Sequence, residues 1–416
     1  MSHFRVIEHT VRCQHIRERR GATELDQANK LRLAVKQYVP RTNPNPAPGD
    51  VTFIGAHANG FPKELYEPLW DDLYEKMKAQ GRRIRSIWIA DVAHQGQSGV
   101  WNEKILGDDP SWYDHARDLL FFINQYQDEM PHPMFGIAHS FGGNQLTHLA
   151  LFHPSLFQGL ILIDPVMQVA NPAKPFAPLS TYRRDIWPSR QDALQRFQAN
   201  PVYKKWDPRV LDRLVKYGLR ELPTELYPEA DGEKPVTLTT TKAQELYTFW
   251  RPIYEDGKVG LKQGEWRNEM LPKDIEEGFP FYSPEPSRIF HRLGELKPSV
   301  LYVFGDQSDL STPEARQKKM EMTGTGVGGS GGAPKGRVKQ ISLPVGHLIP
   351  MELATETAAA AASFVDAELT QWESDTALFR EQWRQKPRSE KISVDEAWKK
   401  HTEVLLPRRQ KRKEKL

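Results

Sequence analysis

Residues 4–16 (as in FRVIEHTV) and 31–39 (as in LRLAVKQYV) alternate loosely between apolar and polar side chains. A period of two puts one set on each face of an extended chain, so both stretches are expected as half-exposed antiparallel strands. A Pro/Asn-rich turn over 41–50 leads into VTFIGAHA, an unbroken apolar run of the kind buried on both faces inside a parallel sheet. Leu65, Leu69, Leu73 and Met77 then recur every fourth residue, which predicts a helix over 63–80. The alternation continues with IRSIWIADV as a buried strand, 113–127 as a helix, MFGIAHS as a strand, FGGNQLTHLALFH as a helix and GLILIDP as a strand.

Strands alternating with helices from 51 to 165 imply βαβ units and a parallel sheet. The pattern stops over 167–295, which is rich in Pro, Trp, Tyr and Arg, and resumes with SVLYVFG (299–305), a helix near 313–322, a strand at 338–344 and a long helix from about 350 to 385. Between that helix and the strand at 338–344, GTGVGGSGGAPKG (324–336) is expected as a flexible surface loop; it lacks the Lys-Ser ending of a phosphate-binding loop. The expected organisation is a first core part over 1–166, an inserted helical cap over 167–295, a second core part over 296–385 and a basic extension over 386–416.

Composition narrows the function classes. In 416 residues the formal net charge is +3, so no global field marks a nucleic-acid binder. Cys13 is the one cysteine, which rules out an internal disulfide and a cysteine zinc cluster. The first twenty residues hold no continuous apolar run, so no secretory signal is expected, and no stretch has the ~18–20 apolar residues of a membrane span.

Four segments carry candidate chemistry. In FGIAHSFGGNQ (135–145) a strand runs into a helix with Ser140 at the turn. The chain crowds such a turn, so its neighbours two places away must be small; here they are Ala138, where the G-x-S-x-G pattern has glycine, and Gly142. Ser140 is the expected nucleophile, lifted to a helix N-terminus whose unpaired N–H groups stabilise negative charge. GHLIPME (346–352) follows the last expected strand, and His347 is the expected general base. For the acid, VFGDQSDLSTPE (303–314) offers Asp309, the preferred candidate; Asp164, at the end of GLILIDP, is its competitor. Both sit at carboxyl ends of strands, where ligands gather in open α/β sheets. In GAHANGFPKELYEPLW (55–70) the backbone amide of Asn59, with Gly60 as the alternative, is expected to form an oxyanion hole together with the amide of Phe141.

With these segments in register, the chain resembles the α/β-hydrolase superfamily over about 30–165 and 295–370. DVAHQGQSG (91–99) looks like the D-x-x-G-H-G-x-S loop after the fourth strand, with Gln95 and Gln97 departing from it, and SWYDHARDLLFFIN (111–124) looks like the helix before the nucleophile strand. HANGFPKELYEPLW, DPSWYDHARDLL, AHSFGGN and DQSDLSTPE together are similar to a fungal group that includes yeast peroxisomal lipase-type hydrolases and hydrolases of host-selective toxin biosynthesis. The resemblance implies a mostly parallel eight-stranded sheet flanked by helices, a cap inserted after the sixth strand, and a Ser-His-Asp hydrolase needing neither metal nor organic cofactor. It implies an apolar ester or thioester substrate and a role in fungal secondary-metabolite biosynthesis. Carbon–carbon bond hydrolysis, acyl transfer and a non-catalytic binding role on the same fold stay open at this stage. Trp187, Tyr203, Trp206, Tyr217, Tyr247, Phe249, Trp250, Trp266, Phe281 and Tyr282 are candidates to line an apolar pocket under the cap, or else to form the cap's own core. The tail LLPRRQKRKEKL ends in Glu414-Lys415-Leu416, which resembles the Ser-Lys-Leu peroxisomal address and makes a peroxisomal import receptor a candidate partner, with the cytosol the alternative location.

Overall fold

The apolar runs of the sequence meet in one eight-stranded sheet. In the computed structural model, which describes residues 3–25, 27–169, 175–229, 234–255, 258–259 and 280–405, the strands are β1 (Phe4–Arg12), β2 (Arg32–Pro40), β3 (Val51–Ala56), β4 (Ile84–Ala90), β5 (Met134–His139), β6 (Gly159–Ile163), β7 (Ser299–Gly305) and β8 (Val338–Leu343). Their order across the sheet is β1-β2-β4-β3-β5-β6-β7-β8. β1 pairs antiparallel with β2, and β2 antiparallel with β4; every later pairing is parallel. Every residue of β3, β5, β6 and β7 is buried, as expected for strands covered on both faces, whereas β1 alternates toward solvent.

Helices α1 (Glu67–Ala79), α2 (Trp112–Gln125) and α3 (Phe141–Phe152) cover the sheet. Ser111 caps α2 by accepting a hydrogen bond from the Tyr113 amide. The first turn of the helix expected over 63–80 is 3₁₀, at Lys63–Tyr66; Pro68 then enters the first turn of α1, where a missing N–H costs nothing.

The insertion differs from the wholly helical cap expected. It contains α4 (Phe176–Tyr182), α5 (Arg190–Ala199), α6 (Pro208–Tyr217), α7 (Lys242–Phe249) and α8 (Glu285–Arg292), but also a three-stranded antiparallel sheet of Ile186–Trp187, Val236–Leu238 and Leu219–Glu221. Strands of two or three residues are too short for a period of two to show in sequence. The glycine-rich stretch 324–336 is held rather than free. Gly326 N donates to Gly294 O at 2.8 Å and Ser330 N to Leu296 O at 3.0 Å, and Gly324, Gly331 and Gly332 take the left-handed φ values that let the chain fold onto that surface.

After β7 come α9 (Pro313–Met322) and α10 (Ala354–Gln385), the latter preceded by a separate turn at Ile349–Glu352. The chain divides into two compact units, Met1–Glu368 and Leu369–Leu416, so the boundary expected between 385 and 386 falls inside α10 instead. In the second unit Phe379 and Trp383 stack with ring centroids 5.7 Å apart, and short helices follow at Arg388–Ile392 and Glu396–Glu403. Among the described residues no helix is long and apolar enough to cross a membrane.

Candidate active site

Ser140 stands between the last residue of β5 and the first of α3, with φ 59° and ψ −123°. A non-glycine residue in that region is strained by roughly 1–3 kcal/mol, so the surrounding structure must hold it there. Ser140 N donates to Ile163 O at 2.9 Å, and Val166 N and Gly143 N donate to Ser140 O at 3.1 and 3.0 Å. Gly142 is required by close approach: a Cβ there would lie 2.6 Å from Ala56 O and 2.7 Å from His57 O. Ala138 is different. It pairs with Ala56 on one side and Leu162 on the other, and its methyl is accommodated in the closed sheet interior with 1 % exposure.

His347, on the loop after β8, reaches Ser140 Oγ through Nε2 at 2.8 Å. Its Nδ1 lies 2.6 Å from Asp164 Oδ2. The preferred acid, Asp309, is not in this chain of contacts: its side chain is exposed, while Asp164, the competitor, is fully buried directly after β6. The loop after β7 contributes hydroxyls rather than a carboxylate. Ser308 Oγ and Ser311 Oγ, either side of Asp309, donate to Asp164 Oδ2 and Oδ1. Burial by itself raises the Asp164 carboxyl. The hydrogen bond and charge of His347, with the two serine hydroxyls, outweigh it and hold the group below its ordinary value. Asp164, like Ser140, has a positive φ, 41°, so two of the three aligned side chains sit on strained backbone.

The loop after β3 presents its amides in a defined way. Ala58 N donates to Tyr66 Oη at 2.8 Å and Gly60 N to Gln95 Oε1 at 2.8 Å. Gly60 is therefore committed and cannot serve as the alternative oxyanion donor. Asn59 N has no acceptor among the described residues, and neither does Phe141 N at the first position of α3. The loop is clamped from three sides. Gln95 Nε2 donates to Asn59 Oδ1 at 2.7 Å and to Thr248 Oγ1 at 2.9 Å, and Asn59 Nδ2 donates to Glu245 O of α7 at 3.0 Å. Gln95, which departs from the motif it resembles, thus joins the oxyanion loop to the cap.

His139 ties the serine and histidine segments together. Its Nε2 faces His347 O at 2.9 Å, and a carbonyl only accepts, so Nε2 carries the proton and Nδ1 accepts from Tyr66 Oη at 3.0 Å. Burial, with the neighbouring His347, lowers the ring to about 3, so it stays neutral in that tautomer. Nothing in the sequence pattern singled out Tyr66 or His139, because both roles exist only once three separate loops meet.

A cavity of about 300 Å³ opens onto Ser140 and His347. Of the cap aromatics nominated from sequence, Tyr203, Trp206 and Phe249 line it. Trp187 instead packs on Phe197, Trp250 on Phe281, and Tyr217 lies under Lys36 Nζ. Trp266 lies outside the described residues. Tyr247 and Tyr282 are not in the lining. Phe61, Trp112, Phe141 and Phe176, not nominated as lining, complete the apolar wall. Beside Ser140 and His347, the polar lining is Asn59, Ser180, Arg183 and Glu245, whose carboxylate accepts from Ser180 Oγ and pairs with Arg183. Among the described residues there is no cluster of metal-ligating side chains.

A sheet of this order, with a serine on a strained turn after its fifth strand and a histidine after its eighth, defines the α/β-hydrolase class. Comparison with known proteins agrees. A family model described as serine aminopeptidase, S33, matches residues 70–214. The chain is 40 % identical to the type I acyl-CoA thioesterase mpaH′ of Penicillium brevicompactum over 99 % of its own length and 98 % of that protein's. It is 27 % identical to the abhydrolase domain-containing protein AFT2-1 of Alternaria alternata over 67 % of this chain and all of the other. Among solved structures, the peroxisomal α/β-hydrolase Lpx1 of Saccharomyces cerevisiae superposes with a TM-score of 0.65 at 16 % identity, covering 93 % of this chain and 100 % of that one. The chain belongs to the α/β-hydrolase family of the Penicillium mpaH proteins, and it is a hydrolase.

Proposed function

We propose that the chain hydrolyses an acyl thioester of coenzyme A, in fungal secondary metabolism, with Ser140, His347 and Asp164 as the catalytic residues. The observation that carries the reading is the continuous relay from Asp164 through His347 to Ser140 Oγ, opening onto an aromatic cavity. His347 Nε2 takes the Ser140 proton as Oγ attacks the carbonyl carbon. The amides of Asn59 and Phe141 face the developing oxyanion, each lowering the barrier by about 3 kcal/mol. Collapse expels the thiolate, which takes the proton from His347, and water then attacks the acyl-enzyme by the same route to release the acid and restore Ser140. Asp164 holds Nδ1–H throughout. The printed names of the Penicillium relatives support the thioester. A panel of acyl-CoA thioesters and matched oxygen esters, followed by thiol and acid release, tests it. Preferential release of coenzyme A supports the proposal, and turnover of oxygen esters alone sinks it.

The same reading extends to location. A peroxisomal setting is proposed; Glu414-Lys415-Leu416 lies outside the described residues, and imaging of the tagged chain against a peroxisomal marker, with and without those three residues, decides it.

Two expectations follow from the geometry. Gln95→Leu keeps the side-chain volume but frees both the Gly60 amide and the Asn59 Oδ1, leaving only the Glu245 carbonyl to hold the Asn59 side chain. With the oxyanion loop no longer clamped, kcat should fall on the order of tenfold with KM little changed, read from steady-state kinetics. In the double variant Ser308→Ala/Ser311→Ala, the carboxylate of Asp164 loses two donors while its burial remains. The depressed folded-state value keeps Asp164 ionised above the unfolded value of about 3.9, and that ionisation is lost only as pH falls through the lower folded value. Removing the two donors weakens what opposes burial, so the Asp164 carboxyl should rise and the acid limb of the kcat/KM profile should move to higher pH. An acid limb that stays in place would show that the serines do not hold the charge.

A further inference from the structure

A second concavity, of about 430 Å³, lies on the cap and shares Arg183 and Tyr203 with the active-site cavity as a common wall. Its other lining residues are Arg184, Trp187, Arg196, Phe197, Ala199, Asn200 and Leu238. Three guanidinium groups and three aromatic rings therefore stand in one groove with no acidic side chain in the lining. Arg183 is paired with Glu245. Arg184 and Arg196 are exposed and have no ion-pair or hydrogen-bond partner for their side chains among the described residues. Like charges brought together without a counter-charge repel each other, and a bound anion relieves the repulsion.

An unbroken line of ring contacts connects this groove to the catalytic loops. Phe61, beside the oxyanion loop, meets Trp206 at 5.6 Å; Trp206 meets Tyr203 at 4.9 Å; Tyr203 meets Phe197 at 4.8 Å; and Phe197 meets Trp187 at 5.5 Å. Trp112, Phe141, Val166 and Leu310, which also line the active-site cavity, belong to an apolar cluster with Phe176 packed against it. The cavity thus combines an apolar wall suited to an acyl group with a wall, at Arg183 and Tyr203, that it shares with a cationic groove lined by rings. A thioester whose leaving group is long, and anionic at its far end, matches that polarity.

Resting on the thioester reading above, we propose that the groove of Arg183, Arg184 and Arg196 binds the phosphorylated adenosine end of coenzyme A. Arginine forks pair bidentately with phosphate oxygens, and the neighbouring rings offer faces to the base. The acyl chain then lies toward Trp112 and Leu310, and the pantetheine arm passes Tyr203.

The test compares one acyl group carried on coenzyme A and on N-acetylcysteamine, which ends before the phosphates. Wild type and Arg184→Ala/Arg196→Ala are assayed on both, and binding of adenosine 3′,5′-bisphosphate to each protein is titrated separately by calorimetry. Both arginines are exposed, so the variant keeps its packing. The ratio of kcat/KM for the coenzyme A thioester to that for the truncated thioester should fall on the order of tenfold or more in the double variant, through KM. The bisphosphate should bind wild type and weaken with added salt. An unchanged ratio, or bisphosphate binding equal in wild type and variant, overturns the groove assignment. Hydrolysis of the truncated thioester with none of the coenzyme A thioester overturns the function reading itself, and is distinguishable because the bisphosphate titration does not depend on turnover.

Discussion

Replacing Ser140 with alanine is expected to lower kcat on the order of 10⁵-fold or more while leaving the fold intact. The reason lies in what the side chain touches. Ser140 Oγ reaches His347 Nε2 and makes no capping bond to α3, so its removal takes away the attacking atom and little else. The strained φ of 59° is held by the backbone bonds to Ile163, Gly143 and Val166, which alanine keeps. The measurement is single-turnover hydrolysis beside a thermal melt and fluorophosphonate labelling. A variant that melts like wild type but neither labels nor turns over fits the assignment; equal labelling of Ser140→Ala would falsify it.

The second large effect separates two aspartates. Asp164→Asn should lower kcat on the order of 10³–10⁴-fold, because the amide cannot hold His347 Nδ1–H in place or stabilise the imidazolium that forms. It should also destabilise the fold. Ser308 and Ser311 both donate to the carboxylate, and an asparagine has one oxygen to offer, so a buried hydroxyl loses its acceptor at a cost of about 1–3 kcal/mol. Asp309→Asn, by contrast, alters an exposed side chain outside the relay and should leave both kcat and the melting temperature where they are. Parallel kinetics and denaturation of the two variants decide the matter, and a large loss in Asp309→Asn with a small one in Asp164→Asn would reverse the assignment.

That pair also marks how far the sequence could be read. Asp164 and Asp309 both follow a buried strand, and nothing in the local pattern says which side chain turns inward. Only the meeting of β6 and β7 does so: Asp164 N is fixed to Val303 O at 2.8 Å, which aims its carboxylate toward the loop of His347, while the Asp309 side chain faces water. The serines on either side of Asp309 look like turn residues in the sequence and become donors in the structure. Gln95 likewise reads as a deviation from a motif until its amide is found holding the Asn59–Gly60 loop against Thr248.

The cap shows the same limit from another side. Of the ten aromatics that the sequence offers over 167–295, Trp266 lies outside the described residues, and Tyr203, Trp206 and Phe249 line the cavity. Aromatic content predicts that a segment buries rings; it does not predict against what. Trp187 and Phe197 bury theirs within the cap, and Phe61 and Phe176 reach the cavity from outside the list.

By itself the sequence determined what depends on neighbours along the chain: the strands and helices, through periods of two and about four; the turn at Ser140, through the small residues around it; and the histidine after the last strand. The tertiary structure alone decided which carboxylate meets that histidine, which amides stay free beside Ser140, and which rings line the cavity. Each of those depends on distances between segments far apart in sequence, and such distances are set by packing the whole sheet rather than by any local pattern.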